Sequence, residues 1–264
     1  MSRSSTGPVQ GFTIGPEDPP PFTVETPDGV APLLLVCDHA SRFIPERLGG
    51  LGLSSRATWE HIAWDIGAAC VTRGLAARLG AMAVLGGYSR LLLDLNRPPG
   101  DPSRIPAVTC GTEVPGNRDI GAVETEARVL ALSRPFHQAI EQAIARLRAQ
   151  GPPPAVVAIH SFTPDLNGAL RPWHVGVLWN RDGRLAVPVL ERLRALPGLC
   201  VGDNQPYSGR EIAYTLDTHA GASGLPHVGI EIRNDQIADE AGCARWVDLL
   251  GDLFSELLLP GGDK

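Results

Sequence analysis

Apolar residues in this chain gather into short unbroken runs that end abruptly in polar residues. Residues 33–44 (LLLVCDHASRFI) run apolar and then open into Asp38, His39 and Ser41. Residues 156–164 (VVAIHSFTP) run apolar to Ile159 and deliver His160 into a turn ended by Pro164. Residues 228–234 (VGIEIRN) present Glu231 and Arg233 in the same way. Such runs, bounded by turn residues, read as buried strands. Further strands are expected at 81–85, 91–95, 174–179 and 199–202.

Between these runs the apolar period lengthens to that of a helix. Ile62, Ile66, Ala69, Val71, Leu75 and Leu79 predict helix over 57–79, with Asp65 where a second helical segment would begin. Ile140, Ala143, Ile144 and Leu147 form one face of a helix over 122–150, which Pro135 should break or kink near Ser133. Helices are also expected over 185–196, 215–222 and 237–258. Residues 1–30 hold too many prolines for a helix and read as an extended arm, leaving 31–264 as one domain. Strands alternating with helices predict an α/β fold, a three-layer α/β/α domain around a mixed, mostly parallel sheet.

Composition narrows the function. Of 264 residues, 43% are hydrophobic and the net charge is −6, which excludes a basic surface for nucleic acid or anionic membrane. No apolar run approaches the roughly 18 residues of a spanning helix. Five cysteines, widely spread and without a C-x-x-C pair, fit reduced thiols in a cytoplasmic protein.

In α/β folds ligands sit at the carboxyl ends of strands, so His39, His160 and Glu231 form a candidate site for a metal ion with an acid/base partner. Asp65 completes a ligand set of two imidazoles and one carboxylate, which leaves a zinc one position open for water. The simpler readings are a hydrogen-bonded structural histidine after each strand and a helix cap at Asp65. In residues 88–98 (YSRLLLDLNRP), Arg90, Asn96 and Arg97 bracket an apolar core and suit a substrate carboxylate, which a planar guanidinium grips with two bonds. Here the alternative is a structural pair between Asp94 and one arginine. Residues 101–117 form a long excursion that could close over a substrate. The loop 203–210 fits solvated surface or, through Tyr207 and Arg210, substrate recognition. His137, away from any strand end, reads as structural.

The segments VCDHASRFIPERL, HIAWDIGAA, YSRLLLDLNRP, IPAVTCGTEVPGN, IHSFTP, GVLWNRD, GDNQPYSGR and GLPHVGIEIRND, in this order, resemble the N-formylglutamate amidohydrolase family over about residues 30–255. The family is similar in fold to the zinc carboxypeptidases and aspartoacylases. The resemblance implies Zn2+ or another divalent metal, a small N-acyl amino acid substrate such as N-formylglutamate, and a free amino acid with a small acid as products. It implies metal ligands His39, Asp65 and His160, with Glu231 as the catalytic acid/base. Arg90, Asn96 and Arg97 would take the substrate carboxylate, with Tyr207, Ser208 and Arg210 completing specificity. One departure stands out: where the carboxypeptidase pattern has a glutamate ligand three residues after the first histidine, this chain has Arg42. That leaves Asp65 as the expected third ligand and Glu46 as the second choice. Other classes are a metal-free binder of an acidic metabolite and a zinc amidase acting on peptides.

Overall fold

The structure, a computed structural model, describes residues 11–25, 31–166 and 168–259. In chain order the strands and helices are β1 (Phe22–Glu25), β2 (Leu33–Cys37), α1 (Ala68–Leu79), β3 (Met82–Gly86), β4 (Val108–Thr109), β5 (Thr112–Glu113), α2 (Ala122–Arg128), α3 (Arg134–Gln150) and β6 (Ala155–Phe162). They continue with β7 (Asp165–Leu166), β8 (Ala169–Leu170), β9 (Val175–Leu178), α4 (Ala186–Arg194), β10 (Val201–Asp203), α5 (Tyr214–Leu216), β11 (His227–Arg233) and α6 (Glu240–Leu258).

Seven strands make one mixed sheet in the order β1-β3-β2-β6-β11-β9-β10. The central strands β3, β2, β6 and β11 run parallel, with β1 antiparallel on one edge and β9 antiparallel to β11 on the other side. Alternation along each strand feeds two cores. Leu33, Leu35, Val157, Ile159, Val228 and Ile230 pack with α1, α4 and α6 on one face. Leu34, Val36, Val156 and Ala158 pack with α3 and residues 91–95 on the other. The result is the expected three-layer α/β architecture, its sheet buried on both sides.

Local chemistry explains where elements start and stop. The Asp239 carboxylate accepts the Gly242 N–H at 2.7 Å and caps α6. Gly67 has φ +81°, and a Cβ there would lie 2.2 Å from the Ile237 carbonyl oxygen, so only glycine lets the chain swing from Asp65 into α1.

Several expectations change in detail. Regular helix begins at Ala68, because residues 57–67 form only short turns. The break near Ser133 is a wide π-type turn over Val129–Ser133, with Pro135 in the first turn of α3, where its missing N–H costs nothing. The expected strand at 91–95 is a correction: the run is fully buried, yet it has no ladder partner. Its backbone is held by turns and loops, with Arg90 N–H donating to Ala63 O, Leu92 N–H to Ser89 O and Asp94 N–H to Arg104 O. Within the expected arm, Phe22–Glu25 joins the sheet as β1, while 1–10 and 26–30 lie outside the described residues. No helix among the described residues is long and apolar enough to cross a membrane.

Candidate active site

Parallel pairing of β6 and β11 sets His160 directly opposite Glu231. The chain leaving β2 places Asp38 and His39 beside them, and all of these residues line one cavity of about 280 Å³. Asp65 reaches the same point from the turn before α1. Its N–H donates to His39 O at 3.0 Å, and its side chain faces the sheet instead of capping α1, which has no side-chain cap.

The imidazoles converge on this carboxylate. His39 Nδ1 lies 3.2 Å and His160 Nδ1 2.8 Å from the same Asp65 Oδ2. Each opposite ring nitrogen faces a second carboxylate. His39 Nε2 is 2.8 Å from Asp94 Oδ1. His160 Nε2 is 3.3 Å from Asp38 Oδ2, an ion-pair contact that misses hydrogen-bond alignment, so that oxygen has no hydrogen-bond partner among the described residues. Arg90 closes the cluster at 2.5 Å from Asp94 Oδ2 and 3.5 Å from Asp65 Oδ1. Thr215 Oγ1 donates to Asp38 Oδ1 at 2.6 Å.

Charge pairing outweighs desolvation throughout this cluster. Burial opposes ionisation of Asp65, but His39 and the hydrogen bonds from both imidazoles hold its carboxyl far below the usual range. Burial likewise opposes charge on His160, and its contacts with Asp38 and Asp65 raise it well above an ordinary histidine. Glu231 behaves oppositely. Its Oε2 is buried without a hydrogen-bond partner among the described residues, and burial pushes the carboxyl up to about 7.

The donor set fits a metal ion. One ligand atom each from His39, Asp65 and His160 lie within 4.8 Å of one another, and all three residues are buried. With each Nε2 turned to an outer carboxylate, both Nδ1 atoms can offer their lone pairs inward, the arrangement that orients metal-binding histidines. Protons and a divalent cation are alternative ways to neutralise the same carboxylates. Glu46 is exposed on the short turn Glu46–Gly52 and does not line the cavity, and Arg42 stacks on Trp59 with its guanidinium carbon 3.3 Å from the ring centroid.

Arg90, Asn96, Arg97 and Tyr207 line the cavity as expected. Arg90 is committed to Asp94 and Asp65, so the structural pairing with Asp94 is realised there. Arg97 has no carboxylate partner among the described residues. Its Nε donates to Ser103 Oγ at 3.0 Å, which ties it to the 101–117 excursion, whose Thr109 and Cys110 also line the cavity. Ser208 and Arg210 do not line it, which corrects their expected place. Ser208 Oγ accepts the Arg210 N–H within the turn, and the Arg210 guanidinium lies over Trp179, 5.9 Å from the ring centroid.

The sequence reading missed four contributors. His61 lines the cavity with a buried Nε2 that has no hydrogen-bond partner among the described residues. Arg171 is buried with no carboxylate partner among the described residues, its guanidinium 4.9 Å from the Tyr207 ring centroid. Asp38 and Thr215 form the outer hydrogen bond described above. Asp38, directly before His39 at a strand end, carried a readable signal; the other three depend on tertiary packing.

A family model described as N-formylglutamate amidohydrolase matches residues 31–238. Among solved structures, the gene product Atu2144 from Agrobacterium tumefaciens is 39% identical with a TM-score of 0.89, covering 93% of this chain and 97% of that one. An N-formylglutamate amidohydrolase from Ralstonia eutropha JMP134 is 20% identical with a TM-score of 0.66, covering 90% and 97%, and is similar in fold. No curated protein matches the chain.

Proposed function

The chain belongs to the N-formylglutamate amidohydrolase family, and we propose that it is a zinc-dependent enzyme that splits the amide of an N-formyl acidic amino acid, N-formylglutamate first among them. It is an amidohydrolase acting on a small molecule; the metal, the acyl group and the amino acid are the substance of the proposal. The observation that carries it is the placement of the His39–Asp65–His160 cluster and of Glu231, whose Oε2 has no hydrogen-bond partner among the described residues, in the same cavity as Arg97 and Asn96.

His39, Asp65 and His160 would hold the metal through Nδ1, Oδ2 and Nδ1. Zinc, when bound, supplies a Lewis acid beside the scissile carbonyl. Glu231 takes a proton from the attacking water and returns it to the departing amine, so that amide and water yield formate and a free amino group. A carboxyl poised near neutrality suits both halves of that exchange. Arg97, whose Nε donates to Ser103 Oγ and whose Nη1 donates to Asn96 O at 3.1 Å, keeps Nη2 and its positive charge for a substrate carboxylate. Asn96 stands beside it, its Oδ1 already accepting the Thr215 N–H at 3.0 Å, which leaves its amide hydrogens for substrate. Arg90 restrains Asp65 and Asp94, and Tyr207, stacked under Arg171, forms the neighbouring wall.

The test is formate release from N-formylglutamate by protein stripped of metal and then reloaded with zinc, compared with N-acetylglutamate and with N-formyl derivatives of apolar amino acids. Zinc-restored turnover confined to acidic N-formyl substrates is the expected result. Full turnover by stripped protein removes the metal from the proposal, and equal turnover of apolar derivatives removes the role of Arg97.

A further inference from the structure

His137 and His219 face each other across two elements that the proposed chemistry does not use. His137 stands in the first turns of α3, and His219 stands in a π-type turn, Asp217–Gly221, that continues α5. The rings meet edge to edge and nearly coplanar, with centroids 5.1 Å apart and planes 25° from parallel. His137 Nε2 is 3.1 Å from Leu95 O, and His137 Nδ1 is 2.8 Å from His219 Nε2.

These contacts fix the protons. A carbonyl oxygen only accepts, so the His137 proton is on Nε2 and its Nδ1 bears a lone pair. That lone pair requires a donor, so the His219 proton is on Nε2 as well. His219 Nδ1 lies 3.9 Å from Glu141 Oε1. His137 is neutral in this arrangement. Charging His137 at Nδ1 would set two N–H groups against each other.

The pair also closes a circuit. Leu95 separates Asp94 from Asn96, and Asn96 Oδ1 accepts the N–H of Thr215. Thr215 lies one turn before His219 on the same helical segment, and its hydroxyl holds Asp38. From Leu95 the path runs through His137 and His219, back along the helix to Thr215, and across to Asn96, where it meets Leu95 again. Two apolar side chains would fill this space without burying ring nitrogens.

We propose that His137 and His219 act together as positioning residues, a hydrogen-bonded histidine pair that holds the Asn96–Thr215 wall of the cavity in register for substrate. The use of N-formylglutamate as probe rests on the function proposed above. Groups facing the pair are Glu141 on α3, Asp38 beyond Thr215, Arg104, and Tyr214, whose ring meets His137 edge-on at 5.4 Å. Burial is the main influence on both histidines, and it keeps them less basic than an exposed imidazole.

The experiment pairs kinetics with a proton-position measurement on the zinc-loaded protein. His137→Phe and His219→Phe should raise KM for N-formylglutamate about tenfold with kcat and zinc content little changed, the loss of one hydrogen bond that orders the wall. His219→Gln, whose amide nitrogen reaches the place of Nε2, should recover most of that loss. Long-range proton–nitrogen spectra of the wild type above pH 7 should put the proton on Nε2 in both rings. The proposal is overturned by wild-type KM in the Phe variants, by an equal defect in His219→Gln, or by an Nδ1 proton on His137. If the Phe variants do not fold, His219→Gln and the spectra decide. If the wild type does not hydrolyse N-formylglutamate, the proposed function fails, and calorimetric affinity for L-glutamate, compared between wild type and His219→Phe, tests the pair alone.

Discussion

Asp65 and Glu231 are both carboxylates in one cavity, exposed by only 3% and 6%, yet their acidities are driven in opposite directions. Asp65 receives two imidazole nitrogens and faces Arg90, so pairing overwhelms the cost of burial. Glu231 has an oxygen with no hydrogen-bond partner among the described residues, so burial prevails. Similar burial thus leaves one carboxylate held as an anion and the other raised toward neutrality, the pair of states that the proposed roles require. The histidines divide the same way. His39 and His160, set among carboxylates, are raised, whereas burial lowers His137 and His219, which have no carboxylate within hydrogen-bond distance among the described residues.

The harshest break of this contrast is Glu231→Gln, which keeps shape and removes the proton acceptor. Turnover should fall by about 10²–10⁴-fold while metal content holds; near-normal turnover would end the assignment. Arg97→Ala should act on binding, raising KM about 10–100-fold, with a smaller change in kcat, because a charged hydrogen bond to the substrate is lost. A kcat loss without a KM change would instead place Arg97 on the reacting atoms. Asp94→Asn keeps an acceptor for His39 Nε2 but removes its charge, so zinc affinity measured against a competing chelator should weaken about 10–100-fold.

A further effect, on stability, concerns pH. His137 falls from an unfolded value near 6.5 to about 4 when folded, so between these values the unfolded chain binds more protons. Its contribution to stability is complete above pH 6.5 and is lost as pH falls toward 4. Denaturant titrations should show the wild type losing about 2–3 kcal/mol more than His137→Phe over that interval. Parallel pH profiles for the two proteins would contradict the shift.

Much of this was legible in the sequence because strand ends are local signals. Apolar runs stopping at His39, His160 and Glu231 announce both the sheet and the residues at its carboxyl edge, and the isolated Asp65 before a helical period completes the set. The run at Leu91–Leu95 misled for the same reason. A segment buried on every side has the composition of a central strand whether its backbone bonds to a ladder or, as here, to Ala63 O and nearby turns. Four residues of β1 were hidden behind a proline-rich stretch. Ser208 and Arg210 carried the right chemistry, but a turn and the face of Trp179 claimed them. His61, Arg171 and the His137–His219 pair have no sequence signature, because their partners come from elements far apart in the chain.

The central claim is that His39, Asp65 and His160 hold a catalytic metal, and elemental analysis of protein purified without chelator tests it most directly. The expected result is about one zinc per chain, lost in His39→Ala, Asp65→Ala and His160→Ala but kept in Glu46→Ala and Glu231→Gln, in line with three-ligand catalytic sites. Absence of metal even after reconstitution, or full retention in Asp65→Ala, would contradict the account.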